Sequence, residues 1–377
     1  MVDVLIAGAG PAGSIAALVL ARSGARVLIV DRATFPRDKL CGDTLNPGAV
    51  RLLTSIGLEG GPLTPALRLR GMRITGPHAE VTARYPGQHV GLAVVRRDLD
   101  AWLLNAAIAA GAHFEPGLTV RAPLFDDRAF APLVRGLVLA RRGAADLRLP
   151  ALVTIGADGR RSTVARALQL VVSPPRPRRW AFGTYVEGVD GLGDVGEMHI
   201  RGGLYVGIAP VAPNLANVCL VTGRRQEGRT PLEILTRVIG NDRGLAPRFA
   251  RAQFDHDVRV LGPLACEARA VGVEGALLAG DAAGFVDPMT GDGLHLAMRS
   301  AMFAADASRH AIETGDFRGA LDELTRARAA AFARKLRFNR ALRALVESPR
   351  AVDMAGWGAK LMPGLVSKAV RYAGDAA

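Results

Sequence analysis

The segment Gly8-Ala9-Gly10-Pro11-Ala12-Gly13 limits the folds open to this chain more than any other. It follows a short apolar run, Val2 to Ala7. It opens a stretch, Pro11 to Arg22, in which Ile15, Leu18 and Val19 recur at helical spacing. A second apolar run, Val27 to Val30, ends at Asp31, 18 residues after Gly13. Strand, glycine turn, helix and strand within about thirty residues predict a βαβ unit with buried parallel strands. In the G-x-G-x-x-G frame, Gly8 permits the tight turn, Gly10 lets backbone approach a pyrophosphate, and Gly13 lets the helix pack on the strand. The helix N-terminus presents free N–H groups and a positive dipole end to phosphates. An acid ending the second strand can bind ribose hydroxyls. Gly8, Gly10, Pro11, Ala12, Gly13, Asp31 and Arg32 are therefore expected at a dinucleotide.

A chain of 377 residues has room for two or three domains. Its apolar share of 49% and charged share of 22% are those of a globular protein and exclude a disordered one. Aromatic residues are too sparse, at 5%, for a nucleic-acid binder that works by stacking. The net charge of +13 comes mostly from arginines spread along the chain, which reads as a solvated surface with some charge available to an anionic cofactor. No nucleic-acid partner is expected. Cys41, Cys219 and Cys266 show no metal spacing, and the seven histidines form no HxH or HxxxH pair, so neither a disulfide framework nor a metal site is expected. The apolar start carries Asp3 where a signal peptide needs positive charge, and no uncharged apolar stretch of about 18 residues occurs. The expectation is a cytoplasmic protein without a transmembrane segment, a monomer or homodimer.

Two further segments carry chemistry. The apolar run Ala276–Ala279 leads into Gly280-Asp281, which sets a carboxylate at the end of a parallel strand, where ligands of such sheets bind. Asp287-Pro288-Met289-Thr290-Gly291-Asp292-Gly293-Leu294 then opens a helix whose backbone can come close to a flat ligand and stabilise an anion. The simpler alternative is a turn with Asp292 as helix cap. The other segment is Asp158-Gly159-Arg160-Arg161-Ser162, after the run Leu152–Ile155. It can hold a dinucleotide's phosphates, or be an ordinary turn capped by Ser162.

Together these three segments resemble the GxGxxG, DG and GD motifs of FAD-dependent oxidoreductases of the geranylgeranyl reductase and p-hydroxybenzoate hydroxylase group. The resemblance covers roughly residues 1–320. It implies FAD as cofactor, reduced by transiently bound NADPH or NADH. It implies contacts to FAD from Asp158, Gly280, Asp281, Pro288, Gly291, Gly293 and Leu294, and from an arginine opening the helix after the first β excursion, a place that Arg97 fits. The loop Phe35-Pro36-Arg37-Asp38-Lys39-Leu40-Cys41-Gly42-Asp43 is similar to that of the reductase branch, which implies that Cys41 lines the active site. The reductase branch also carries Tyr-x-Trp-x-Phe-Pro, and flavin halogenases Trp-x-Trp-x-Ile-Pro. Here the stretch is Tyr205-Val206-Gly207-Ile208-Ala209-Pro210, which argues against halogenation and suggests a roomier pocket wall at Tyr205, Gly207, Ala209 and Pro210.

The expected fold is a discontinuous α/β Rossmann-like FAD domain (1–66, 96–175, 256–320) with an inserted mixed β-sheet substrate domain (67–95, 176–255) and a helical C-terminal part (321–377). The Pro-rich stretch 173–179 is the expected domain crossing. The leading functional expectation is a monooxygenase that hydroxylates a hydrophobic aromatic or polyketide-like molecule through a flavin hydroperoxide. The alternative is a reductase of carbon–carbon double bonds in an isoprenoid or other lipid. Cys41, Asp292 and His295 are the candidate proton donors for the latter. Met354, Trp357, Leu361, Met362, Leu365 and Val366 near helical spacing read as a helix packed on the substrate domain, with peripheral membrane contact as the sharper alternative.

Overall fold

The structure, a computed structural model, describes residues 2–126, 132–172, 178–223 and 229–376. Much of the expected crossing, 173–177, lies outside the described residues.

The βαβ unit forms as the apolar runs dictate. Val2–Ala7 lies between Val27–Asp31 and Leu147–Gly156, parallel to both, with Val4 opposite Val27 and Val153. Ala276–Leu278 and His113–Pro116 extend the parallel sheet on either side. Leu147–Gly156 serves two sheets. Its first half pairs antiparallel with Val134–Arg141, which in turn pairs with Leu118–Phe125, forming a meander. Helices α1 (Pro11–Arg22), α2 (Pro47–Ser55) and α3 (Arg96–Ala109) follow in order. Then come α4 (Thr163–Ala167), α5 (Pro231–Gly240) and α6 (Gly293–Thr314). Ile15 and Leu18 of α1, Leu99 and Leu103 of α3 and an alanine-rich stripe of α6 (Ala301, Ala304, Ala305) share one core against the parallel sheet. Alanines on that stripe let α6 lie close to α1 without a cavity.

The second large sheet runs Gln253–Phe254, Trp180–Glu187, Leu215–Thr222, Leu204–Ala212, Gly196–Arg201, Gly71–Thr75, Glu80–Arg84. The early hairpin 71–84 joins the later strands through one parallel pair, with Met198 opposite Ile74. Gly91–Ala93, by contrast, lies between Leu67–Leu69 and Thr44–Leu45 in a separate three-stranded sheet. Arg259–Leu261 still pairs with the strand Trp180–Glu187, so the return to the parallel sheet comes after Leu261. Strand alternation gives this sheet two apolar faces. Val186, Val206, Ile208, Val218 and Leu220 pack on Ile234, Leu235 and Ile239 of α5. Ala181, Met198, Tyr205 and Val221 face Met289 and the third helical part.

That part comprises α7 (Phe317–Glu347), α8 (Pro349–Leu361) and α9 (Pro363–Ala373), broken where the prolines stand. The segment after α9 folds back. The Lys335 ammonium, 4% exposed, donates to the Tyr372 and Ala373 carbonyls (2.6 and 2.9 Å) and to Asp375 (3.0 Å).

Candidate functional site

At the crossover of the parallel sheet the motif glycines divide by function. A Cβ on Gly13 would overlap the Gly8 carbonyl oxygen, and one on Gly8 (φ +103°) would overlap the Ala157 carbonyl, so both are required by packing. Gly10 is different: the only atom near the place of its missing Cβ is an Arg37 guanidinium nitrogen, 3.5 Å away. Helix α1 has no side-chain cap at Gly10 and no acid in its first turn, so its N-terminal end is open to an anion. The Asp31 carboxylate accepts the N–H groups of Ala9 and Ala33 (2.8 and 2.9 Å), which fixes it at the strand end. Pro11 and Ala12 are buried and Arg32 is exposed.

The GD turn meets this motif directly: a Cβ on Gly280 (φ +60°) would stand 2.8 Å from that of Ala12. Burial pushes the Asp281 carboxyl up, with Arg160, Arg96 and Lys39 drawing it down. Burial likewise pushes the Lys39 ammonium down, and the nearby charges of Arg37, Arg96 and Arg160 add to that. Four cations thus crowd one side of the crevice. The third motif supports it from behind. Asp158 accepts from the Thr163 and Val164 N–H groups (2.6 and 3.3 Å), and Ser162 caps the short α4 as the simpler alternative anticipated. Arg160 and Arg161 donate to the carbonyls of Gly262, Pro263 and Leu264, where the chain returns from the second sheet. The other Asp158 oxygen and one Arg37 nitrogen are buried without a hydrogen-bond partner. An open backbone cradle, an uncapped helix end, crowded cations and orphaned polar atoms fit the pyrophosphate and polyol of FAD.

Of the adjacent arginines that open α3, Arg97 is exposed and 3.7 Å from Asp38. Arg96 is buried, in a bidentate pair with Asp100 at 2.7 and 2.8 Å. Burial works against the Arg96 charge, but Asp100, with Cys41 next in effect, outweighs it.

Asp43, which sequence reasoning passed over, organises the loop that carries Cys41. It is fully buried with φ +50°. One oxygen accepts from the Arg96 N–H (3.0 Å) and the other from Tyr185 Oη and Asn217 Nδ2 (both 2.7 Å). Burial pushes its carboxyl up, against these hydrogen bonds. Asn217 also donates to the Cys41 carbonyl at 2.9 Å. The loop is thereby fastened to the second sheet and to the start of α3.

The sheet face beneath it is ordered in rows. Tyr185, Asn217 and Ala209 lie side by side, then Gly183, Cys219, Gly207 and Met198, then Ala181, Val221 and Tyr205. Leu40 fills the space above Gly183, whereas nothing lies within 3.8 Å of the place of a Gly207 Cβ. Burial, with Cys41 next in effect, pushes the Cys219 thiol up to about 12. Tyr205 is a strut: its hydroxyl donates to Asp287 at 2.6 Å, Arg179 donates to the other Asp287 oxygen at 3.2 Å, and all three are buried. Asp287 in turn accepts the Met289 N–H (3.1 Å), fixing the Pro288–Gly293 loop in which Gly291 has φ +64°. Pro210, opposite Ala216, follows the parity of Val206 and Ile208, which face α5.

The three candidate proton donors fall into two groups. Cys41 stands with Arg96, Asp43 and Cys219. Asp292 and His295, at the start of α6, instead face α7 and the folded-back C-terminal segment. Asp292 makes no cap bond to α6 and instead accepts from Thr290 (2.6 Å) and Asn339 (3.1 Å), with Lys335 at 3.7 Å. Burial pushes its carboxyl up. His295 Nδ1 lies 2.8 Å from Asp375, and its ring packs where a Gly48 side chain would stand.

An FAD binding domain family matches residues 1–187. The chain is 32% identical over 331 residues to the menaquinone reductase of Mycobacterium tuberculosis, covering 81% of this chain and 76% of that one. It is 31% identical to digeranylgeranylglycerophospholipid reductase 2 of Methanopyrus kandleri, covering 83% and 78%. Among solved structures, a geranylgeranyl bacteriochlorophyll reductase-like protein of Thermoplasma acidophilum superposes with TM-score 0.80 at 23% identity over 94% of this chain and 90% of that one. The flavin-dependent brominase Bmp2 superposes at 0.83 with 20% identity over 99% and 93%, a likeness of fold. Motifs, cradle and relatives agree, and the chain belongs to the FAD-dependent oxidoreductases of the geranylgeranyl reductase and p-hydroxybenzoate hydroxylase superfamily.

Proposed function

We propose that this protein is an FAD-dependent reductase of carbon–carbon double bonds in a hydrophobic isoprenoid-type lipid, with NADPH or NADH as its reductant. The observation that carries the reading is the loop Phe35–Asp43, clamped by Asp43 between the second sheet and the start of α3, with Leu40 and Cys41 against the row of Gly183, Cys219 and Gly207. Relatives named as reductases of menaquinone and of a digeranylgeranyl lipid support it and favour it over the hydroxylation that sequence alone put first.

Bound FAD would supply the electron pair and one hydrogen to the double bond. The open backbone at Gly10, shaped by the close packing of Gly8 and Gly13, would hold it together with Asp31 and Asp281. Saturation of the bond takes one proton more, and Cys41 Sγ is the donor this site offers. Arg96, fixed by Asp100, is placed to offset the negative charge left on that sulfur. At Gly207 the face lacks a side chain and nothing but the Cys219 and Glu197 carbonyl oxygens, at 3.8 and 4.0 Å, stands near the place of its Cβ, which gives an apolar chain a place to lie beside Met198, and the Tyr205–Asp287 strut keeps this face and the Pro288–Gly293 loop in register.

The test is anaerobic turnover of the FAD-loaded protein with NADPH or NADH and a menaquinone or a geranylgeranyl lipid, with products read by mass spectrometry. A gain of two hydrogens, lost in Cys41→Ala with FAD retained, is the expected result. Insertion of an oxygen atom in air, without saturation, would restore the hydroxylase reading.

A further inference from the structure

The described residues expose eleven large apolar side chains, and five of them fall between 354 and 365: Met354 (75% exposed), Trp357 (54%), Leu361 (80%), Met362 (56%) and Leu365 (55%). The other six are scattered along the chain. Met354, Trp357 and Leu361 follow i, i+3, i+7 spacing and share the outer side of α8. The inner side is packed. Pro349 lies on Gly202, Gly356 on His78, and Gly374, just past α9, on Tyr85, all at the second sheet. Pro363 ends one helix and starts the next, so the apolar ridge turns a corner instead of breaking, and residues 360–365 form a continuous exposed run.

The charges around this corner have one sign. Arg350, Lys360, Lys368 and Arg371 are exposed. Asp353, the one acid between 349 and 373, stands 3.3 Å from His78. The Lys360 ammonium lies 5.6 Å from the Trp357 ring centre, so the indole and the cation sit at one level, as such residues do at a membrane interface.

We propose that the α8–α9 corner is a peripheral docking surface for an anionic lipid bilayer, with Leu361, Met362 and Leu365 entering the acyl boundary and the four basic residues meeting the phosphates. A second copy of this chain fits the corner less well, because it would bring the same basic rim and another +13 charge against it. No helix among the described residues is long and apolar enough to cross a bilayer, so the attachment lies on the surface. The corner is also one joint away from the substrate face: Leu342, Leu345 and Val346, at the end of α7, pack with Met198, Tyr205 and Val221. The inference does not depend on which reaction the site performs.

The experiment is flotation of the FAD-loaded full chain with phosphatidylcholine vesicles, with and without about one third phosphatidylglycerol. Binding is expected to the anionic vesicles, weakening as salt rises. In the double variant Leu361→Asp/Leu365→Asp, which changes two exposed side chains, it should fall about tenfold or more. Lys360→Glu/Lys368→Glu provides a second variant should the first lose its bound FAD. Absence of binding, or equal binding by the folded variants, would overturn the proposal. So would a dimer in light scattering that the aspartates dissociate, which would assign the corner to a second copy.

Discussion

In the parallel-sheet half, the residues placed to hold a cofactor are mostly backbone and glycine: Gly8 and Gly13 are fixed by clashes, and Gly10 by the space it leaves open. In the antiparallel half the work falls to side chains that meet across the sequence. Asp43 reaches Tyr185 and Asn217 over separations of 142 and 174 residues. The first half is local and repeats in any chain that binds a dinucleotide this way. The second is assembled from strand register, so a change of register or of one carboxylate alters this face of the sheet without touching the motif.

The largest effect should separate packing from binding among the glycines. Gly13→Ala drives a methyl into the Gly8 carbonyl and should cost about 4 kcal/mol or more, giving poorly folded, colourless protein. Gly10→Ala meets nothing but an Arg37 nitrogen, so it should melt near the parent temperature while binding FAD less tightly. Thermal melts and FAD titration read both. If the two behave alike, the division of labour among the glycines is wrong.

Next comes Glu197→Gln, on the α5 side of the second sheet. Burial raises the Glu197 carboxyl, but hydrogen bonds and charge from Arg248 (2.5 and 2.8 Å) and His199 (2.8 Å) outweigh it and hold it at about 2 against 4.5. The stabilisation is therefore complete above about pH 4.5 and lost as pH falls towards 2. The substitution should cost about 3 kcal/mol at pH 7 and much less near pH 2 by denaturant unfolding, with turnover per folded molecule unchanged.

Asp43→Asn should lower kcat about tenfold or more while FAD stays bound, because the loop loses its charged anchor but the nucleotide cradle keeps all its parts. Retained activity would show that Asp43 only supports the fold. A small effect on stability, within about 1 kcal/mol, should come from Gly207→Val, whose Cβ would meet only the Cys219 and Glu197 carbonyl oxygens at ordinary contact distance. Its signature is a raised KM for long-chain substrates and an unchanged one for short analogues.

The βαβ unit with its helix from Pro11 and the helical C-terminal part were legible because periodicity acts locally. The site was legible only where a motif carried it. Arg96 and Arg97 are indistinguishable as letters, and only the packing of α3 decides which one is buried beside Cys41. Asp43 stood inside the noted loop, yet nothing local marks its partners. Tyr205 is the expected wall residue by position, but its hydroxyl is engaged by Asp287, 82 residues away. The ties of His295 and Asp292 to Asp375 and Lys335 are equally long-range.

The folded-back segment after α9 has a practical consequence. Lys335, His295 and Asn46, from α7, α6 and the cap of α2, all converge on residues 372–375. A version trimmed at Tyr372 for crystallisation, or one nicked there by a protease, would lose the knot joining three helices and leave the buried Lys335 ammonium with only the more distant Asp292 carboxylate, at 3.7 Å. Tags and fluorophores therefore belong at the start of the chain or after the Asp375 turn.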